Sequence, residues 1–211
     1  MGLRETTFFV PAGEITASVR VGDATATETF TLRAGETVEK DIIAGVGIAV
    51  LNASYVDGLV VEEDGLAVNI FRAAQALDGS RESVSSGYGP GDEYQLSPGD
   101  YLARFRLGEA MAETEFSVVG GQRVEVMGVL NAGVAVVDAP GAYSISFFHA
   151  NKDIQGNRKS AGFAYGETLQ ITLTAGDYVA VADYQEAGET ETPFSITAGE
   201  RTETTIRPPK N

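Results

Sequence analysis

The chain predicts an all-β protein of tandem β-sandwich repeats, with an N-terminal half unit in front of two complete ones. Three observations carry this: self-similarity at long period, apolar residues alternating with a period of two, and turn residues at short intervals. A shift of 86 residues lays Phe8-x-Val10-x-Ala12-Gly13 on Tyr94-x-Leu96-x-Pro98-Gly99. The same shift lays Phe30-x-Leu32 on Phe116-x-Val118, and Gly35 on Gly121. A further shift of 77 carries Gly99-Asp100-Tyr101 onto Gly176-Asp177-Tyr178. Repetition of this kind is a statement about architecture before it is one about chemistry.

Taken in order, the first element is a strand in which Ile15, Ala17, Val19 and Val21 alternate with Glu14, Thr16, Ser18 and Arg20. That period suits a half-buried strand. Its counterparts are Tyr101, Ala103, Phe105 and Leu107, and then Tyr178, Ala180, Ala182 and Tyr184. Gly13, Gly99-Asp100-Tyr101 and Gly176-Asp177-Tyr178 are expected as the structural turns that lead into these strands. Further turns fall at Gly22-Asp23, Ala34-Gly35-Glu36, Asp57-Gly58, Asp64-Gly65, Asp78-Gly79 and Pro90-Gly91-Asp92. No helical periodicity of any length is present. The two later repeats also match upstream of these turns: Asp64 to Arg72 aligns without a gap on Gly141 to His149, and Tyr88-Gly89 falls on Tyr165-Gly166. The middle repeat carries an extra segment, about Tyr55 to Glu63. Units of 46–132 and 133–211 follow, the latter ending in a short tail, preceded by an incomplete unit over 1–45.

That first unit has no counterpart of the strands expected at 48–71 and 134–148. A half sandwich leaves an apolar face uncovered and ladder edges unpaired. It is expected to be a fragment of a longer array, to be completed by strands of another chain, or to form a small three-stranded cap.

Composition bounds the function. The net charge of −15 speaks against nucleic acid and anionic membrane surfaces, both of which need clustered Lys and Arg. An acidic surface of this kind keeps β proteins soluble and apart. Without cysteine, disulfides, thiolate metal sites and Cys nucleophiles are excluded. No apolar run approaches a membrane span, and the start Met1-Gly2-Leu3-Arg4-Glu5-Thr6 has no signal-peptide core.

The run Leu96-Ser97-Pro98-Gly99-Asp100-Tyr101, followed by Phe116-Ser117-Val118-Val119-Gly120-Gly121-Gln122-Arg123-Val124, resembles a known module. It is similar to the transthyretin-like, carboxypeptidase-regulatory and Cna B-type group of sandwiches. The link Val129-Leu130-Asn131-Ala132-Gly133 resembles tandem repeats that follow von Willebrand factor type A domains in bacterial proteins. The resemblance implies a Greek-key, prealbumin- or Ig-like sandwich in an extracytoplasmic setting, acting as spacer, stalk or interaction module. It carries over no catalytic residue. The internal Lys–Asn or Lys–Asp bond frequent in Cna B-type domains is excluded from 46–132, which has no lysine, and Lys152 and Lys159 of the last unit are expected in a loop rather than on the first strand.

Chemistry-bearing residues are sparse. The only histidine, His149, falls opposite Arg72 in the repeat alignment and reads as a solvated strand end. A triad needs a nucleophile, a base and an orienting acid together, and the carboxylates here are scattered over turns. Calcium needs several oxygen ligands close by. Asp57, Glu62, Glu63 and Asp64 of the inserted segment are the candidate set, and Asn151-x-Asp153-x-Gln155-Gly156-Asn157 reads as a hairpin turn. The recurring Tyr88/Tyr165 and Tyr101/Tyr178 pairs point to packing. The expected role is therefore non-enzymatic: a structural or interaction module without a cofactor, whose partner is a protein or a second chain engaged through strand edges and loops. Ligand binding, of calcium at 57–64 or of a glycan at tyrosines, is the alternative, and a carboxylate hydrolase the remote one.

Overall fold

A computed structural model describes residues 6–209, and the extreme N-terminus, with its expected lack of a signal-peptide core, lies outside them. Strands dominate; among the described residues one 3-10 turn, Gln185–Ala187, is the sole helical element.

The N-terminal unit contributes two strands, β1 (Gly13–Val21) and β2 (Ala24–Leu32), paired antiparallel from Gly13 opposite Leu32 to Val21 opposite Ala24. Alternation places Ile15, Ala17, Val19 and Val21 on one face beside Phe30, Glu28, Ala26 and Ala24, so the face is apolar except for Glu28 opposite Ala17. Glu14, Thr16, Ser18 and Arg20 share the other face with Thr31, Thr29, Thr27 and Thr25. Residues 7–12 and 33–46 adopt no strand, so the expected three-stranded cap is a two-stranded hairpin. Phe8, Phe9 and Val10, aligned with a buried strand of the next repeat, are exposed, Phe9 to 99%.

The middle repeat supplies β3 (Gly47–Val56), β4 (Leu59–Val60), β5 (Ala67–Gln75), β6 (Arg81–Tyr88), β7 (Asp92–Leu96), β8 (Gly99–Leu107), β9 (Ala110–Val118) and β10 (Arg123–Val129). One sheet runs β10-β3-β4 with β7 also on β3, and the other β6-β5-β8-β9. The two inner faces meet closely: a Cβ on Gly128 would lie 2.2 Å from the ring of Phe105, a fully buried side chain. Only glycine leaves room for that ring.

The last repeat follows the same plan with β11 (Ala132–Asp138), β12 (Ser144–Lys152), β13 (Arg158–Tyr165), β14 (Thr168–Thr174), β15 (Gly176–Asp183), β16 (Glu189–Ile196) and β17 (Arg201–Thr205). Its sheets are β14-β11-β17 and β13-β12-β15-β16. Between them Ile145, Phe147, Leu173, Tyr178, Phe194 and Ile206 form one buried core. Neighbours that are distant in sequence, with crossings between sheets, are the mark of a Greek-key sandwich. β11, first in the repeat, pairs in parallel with β17, its last strand, from Val134 opposite Arg201 to Asp138 opposite Thr205.

The repeats match in detail. β5–β6 shifts register at Ile70/Phe71, and β12–β13 shifts at the aligned Phe147/Phe148. Gly13, Gly99 and Gly176, expected as turns, are instead the first residues of β1, β8 and β15. Their φ values of 148°, 149° and 154° are closed to residues with a Cβ, which explains why glycine stands there three times. By compactness the chain divides into two units. One comprises the chain up to Ala49 with Tyr94–Gly99 and Ser117–Val124; the other comprises Val50–Glu93, Asp100–Phe116 and the chain from Glu125.

Candidate functional site at the repeat junctions

The inserted segment of the middle repeat is a short hairpin. β3 runs on to Val56, turns through Asp57 and Gly58 (φ +84°), and returns as β4. Glu63 is engaged as an acceptor: the Tyr55 hydroxyl donates to its Oε1 at 2.6 Å, and the Glu62 amide to its Oε2 at 3.1 Å. Burial, aided by this carboxylate, pushes the Tyr55 phenol up to about 12. Among the described residues no group of three or more histidine or carboxylate side chains stands where it could hold a metal ion. Asp57, Glu62, Glu63 and Asp64 are thus neighbours in sequence that the hairpin does not gather into a cage. Its apolar side meets the last repeat, where a Cβ on Gly199 would sit 3.0 Å from Val56 and 3.7 Å from Leu59.

A second contact joins these repeats. The β8–β9 turn places Gly108 (φ +59°) and Glu109 on β14, with the Glu109 amide donating to the Thr172 carbonyl at 3.0 Å. A Cβ on Gly108 would be 2.6 Å from that carbonyl oxygen. The β1–β2 turn does the same one repeat earlier. Gly22 also has φ +59°, and the Asp23 amide donates to the Gln95 carbonyl of β7 at 3.0 Å. Gly22 and Gly108 are related by the shift of 86, Gln95 and Thr172 by the shift of 77, so one junction is built twice. In the last repeat the equivalent turn is longer and contains the 3-10 element; there Tyr184 donates to the Ile206 carbonyl at 2.9 Å. The Gly-Asp and Gly-Glu pairs at one repeat position were the sequence signal for this junction. Without knowledge of what it faces, Gly22-Asp23 reads only as a turn, and Gly108-Glu109 draws no reading at all.

His149 is not the solvated strand end its alignment suggested. It is half-buried, its ring 5.0 Å from that of buried Tyr178. Arg72 covers Tyr101 in the same way, at 4.8 Å, and its guanidinium donates to the Tyr101 hydroxyl at 2.7 Å. Both phenols are raised by burial, which at Tyr101 outweighs the opposing pull of Arg72. Around His149 the shallow depression is lined by Lys152, Asp153, Asn157, Arg158 and Lys159. Asp153 closes its own hairpin turn by accepting from the Gln155 and Asn157 amides at 2.9 and 2.8 Å. Nothing here assembles a nucleophile, base and orienting acid.

The packing expectation divides the tyrosines. Tyr101 and Tyr178 are buried, whereas Tyr88 and Tyr165 are exposed to 75% and 70%. Tyr165 sits in an open aromatic group, 5.4 Å from Tyr143 and 4.9 Å from Phe163 between ring centres. All three lie on β12, β13 or the turn before them, facing solvent.

No family model matches the chain, and no curated protein does. Several solved structures are similar at low identity. The TIE protein of Bacillus anthracis is 14% identical with a TM-score of 0.33; the match covers 95% of this chain and 42% of that one, so the chain spans less than half of that protein. The minor pilin of Streptococcus agalactiae is 12% identical with a TM-score of 0.39, over 78% of this chain and 98% of the pilin. A streptococcal ancillary pilin is 15% identical with a TM-score of 0.36, over 96% and 76% respectively.

Proposed function

We propose that the chain is a non-enzymatic structural module, a spacer of sandwich repeats over 46–132 and 133–211 with a half repeat at 1–45, within a larger bacterial polypeptide or assembly. The extracytoplasmic setting follows from the sequence resemblance. The observation that carries the proposal is the junction built twice from the same turn and the same receiving strand. A spacer needs fixed orientation between successive units, and a backbone hydrogen bond seated against a residue with no Cβ supplies it. Parallel pairing of β11 with β17 supports the same reading. Tension applied at the two ends of that repeat loads the rungs of the ladder together in shear.

A second reading has one observation in its favour. The open group of Tyr143, Phe163 and Tyr165 offers ring faces on which a glycan could stack.

Spin labels at Ser83→Cys and Lys159→Cys test the spacer directly, since the chain has no other cysteine. We expect a single narrow distance distribution in the parent and a broadened one in Gly108→Val. A distribution already broad in the parent removes the fixed junction and the proposal with it.

A further inference from the structure

The hairpin β1–β2 forms a two-stranded sheet, and no other described strand pairs with either of its edges. Its two edges are not equivalent. The strands that correspond to β2, namely β9 and β16, are outer strands of their sheets, while those that correspond to β1, namely β8 and β15, are interior. On that side β8 takes β5 and β15 takes β12. The open edge of β1 is therefore the one that is covered wherever the repeat is complete.

Along its central residues this edge lacks the devices that guard the others. β9 carries exposed Glu113 and Glu115, β16 carries Glu189, Glu191 and Pro193, and β13 carries Arg158 and Lys159. Charge and proline at an edge discourage further pairing. The centre of β1 reads Thr16-Ala17-Ser18, with Glu14 near one end and Arg20 near the other.

We infer that the β1 edge pairs with the β1 edge of a second chain, antiparallel and centred on Ala17. Opposite residues of an antiparallel pair share a face. In this register Ile15 lies opposite Val19 of the second chain and Ala17 opposite its own counterpart, so apolar residues meet across the β1–β1 seam, with Glu28 of each β2 flanking the Ala17 pair. On the other face Thr16 lies opposite Ser18, and Glu14 opposite Arg20, twice by symmetry. Moving the centre to Thr16 or Ser18 keeps the faces matched but separates Glu14 from Arg20, so charge selects the centre at Ala17. The product is a four-stranded antiparallel sheet, β2-β1-β1-β2, as wide as the sheets that contain β8 and β15. An isologous contact of this kind closes after two chains. It goes beyond the proposed spacer role, which stands on the junctions and does not depend on it.

Sedimentation of the full chain over a wide concentration range, compared with Glu14→Arg, Arg20→Glu and the double variant, tests it. Both positions are exposed in the hairpin, and the double variant restores the pairing with its polarity reversed. We expect a reversible dimer whose dissociation constant rises about tenfold in each single variant, because two attractive cross-strand pairs become repulsive. In the double variant it returns to near the parent value. A chain monomeric at every concentration overturns the inference. So does a dimer indifferent to the single variants, or one that the double variant fails to restore.

Discussion

The N-terminal half repeat and the last repeat hold closely related sequence, yet one forms two strands and the other seven. In the last repeat β14 and β17 both pair with β11. In the middle repeat β7 and β10 both pair with β3. Among the described residues the N-terminal unit has counterparts of these flanking strands, Phe8 to Ala12 and Thr37 to Ile43, but no first strand pairs with them, and both stretches remain without a ladder. Turn hydrogen bonds show the same loss. Gly121 donates to Val46 and Gly199 to Ala132, both at 2.8 Å, while the aligned Gly35 has no first strand beside it. A strand needs its neighbour for both hydrogen bonds and burial, so removing one strand removes the two that flank it.

This difference can be broken from either side. The largest effect is expected where β11 enters the last repeat. A Cβ on Gly133 would stand 2.4 Å from the Thr197 carbonyl oxygen and 2.6 Å from that of Glu200. Gly133→Val should cost about 5 kcal/mol in urea unfolding, since the backbone of two residues has to shift. Gly35→Ala, with nothing within 4 Å, should cost about 1 kcal/mol through its φ of +77° alone. Next come the aromatic positions. Phe147 is fully buried with its ring 5.2 Å from Phe194, and Phe147→Ala should cost about 4 kcal/mol. Phe30 lies half-buried on the open hairpin, and Phe30→Ala should cost about 1 kcal/mol.

Alkaline pH should sharpen the contrast further. The phenols of Tyr55, Tyr101, Tyr178 and Tyr184 are all raised by burial, Tyr55 to about 12. Unfolded phenols titrate near 10, so as pH rises from about 10 to about 12 the unfolded chain releases protons that the fold retains. Stability therefore falls across that window. The chain up to Ala49 has no tyrosine, so the loss should fall on the later repeats, and Tyr55→Phe should reduce it. The smallest effect belongs to Lys40 and Glu28, paired at 2.6 Å on the hairpin with both side chains over a third exposed. Lys40→Ala should change stability by about 0.5 kcal/mol.

Much of this architecture was legible in the residues. The three glycines at 13, 99 and 176 and the alternation after them located β1, β8 and β15 correctly, because spacing in the chain carries both signals. Where alternation depended on a partner sheet it misled: Val19 and Val21 keep the period of a half-buried strand but remain exposed. Tyr88 and Tyr165 share a repeat position and face solvent, so recurrence alone did not imply burial. The pairing of Tyr55 with Glu63 and the seat of Gly108 on Thr172 are contacts across the fold, and no local pattern encodes them.

Hydrogen exchange resolved by residue tests most directly whether a strand in this chain depends on the presence of its neighbour. We expect amides of 7–12 and 37–43 to exchange near the rate of an unfolded peptide, β1 and β2 to be weakly protected, and β11, β14 and β17 to be protected to the level of global unfolding. Protection of 37–43 equal to that of β17 would contradict it, for those residues would then hold a ladder without the strand that forms it elsewhere.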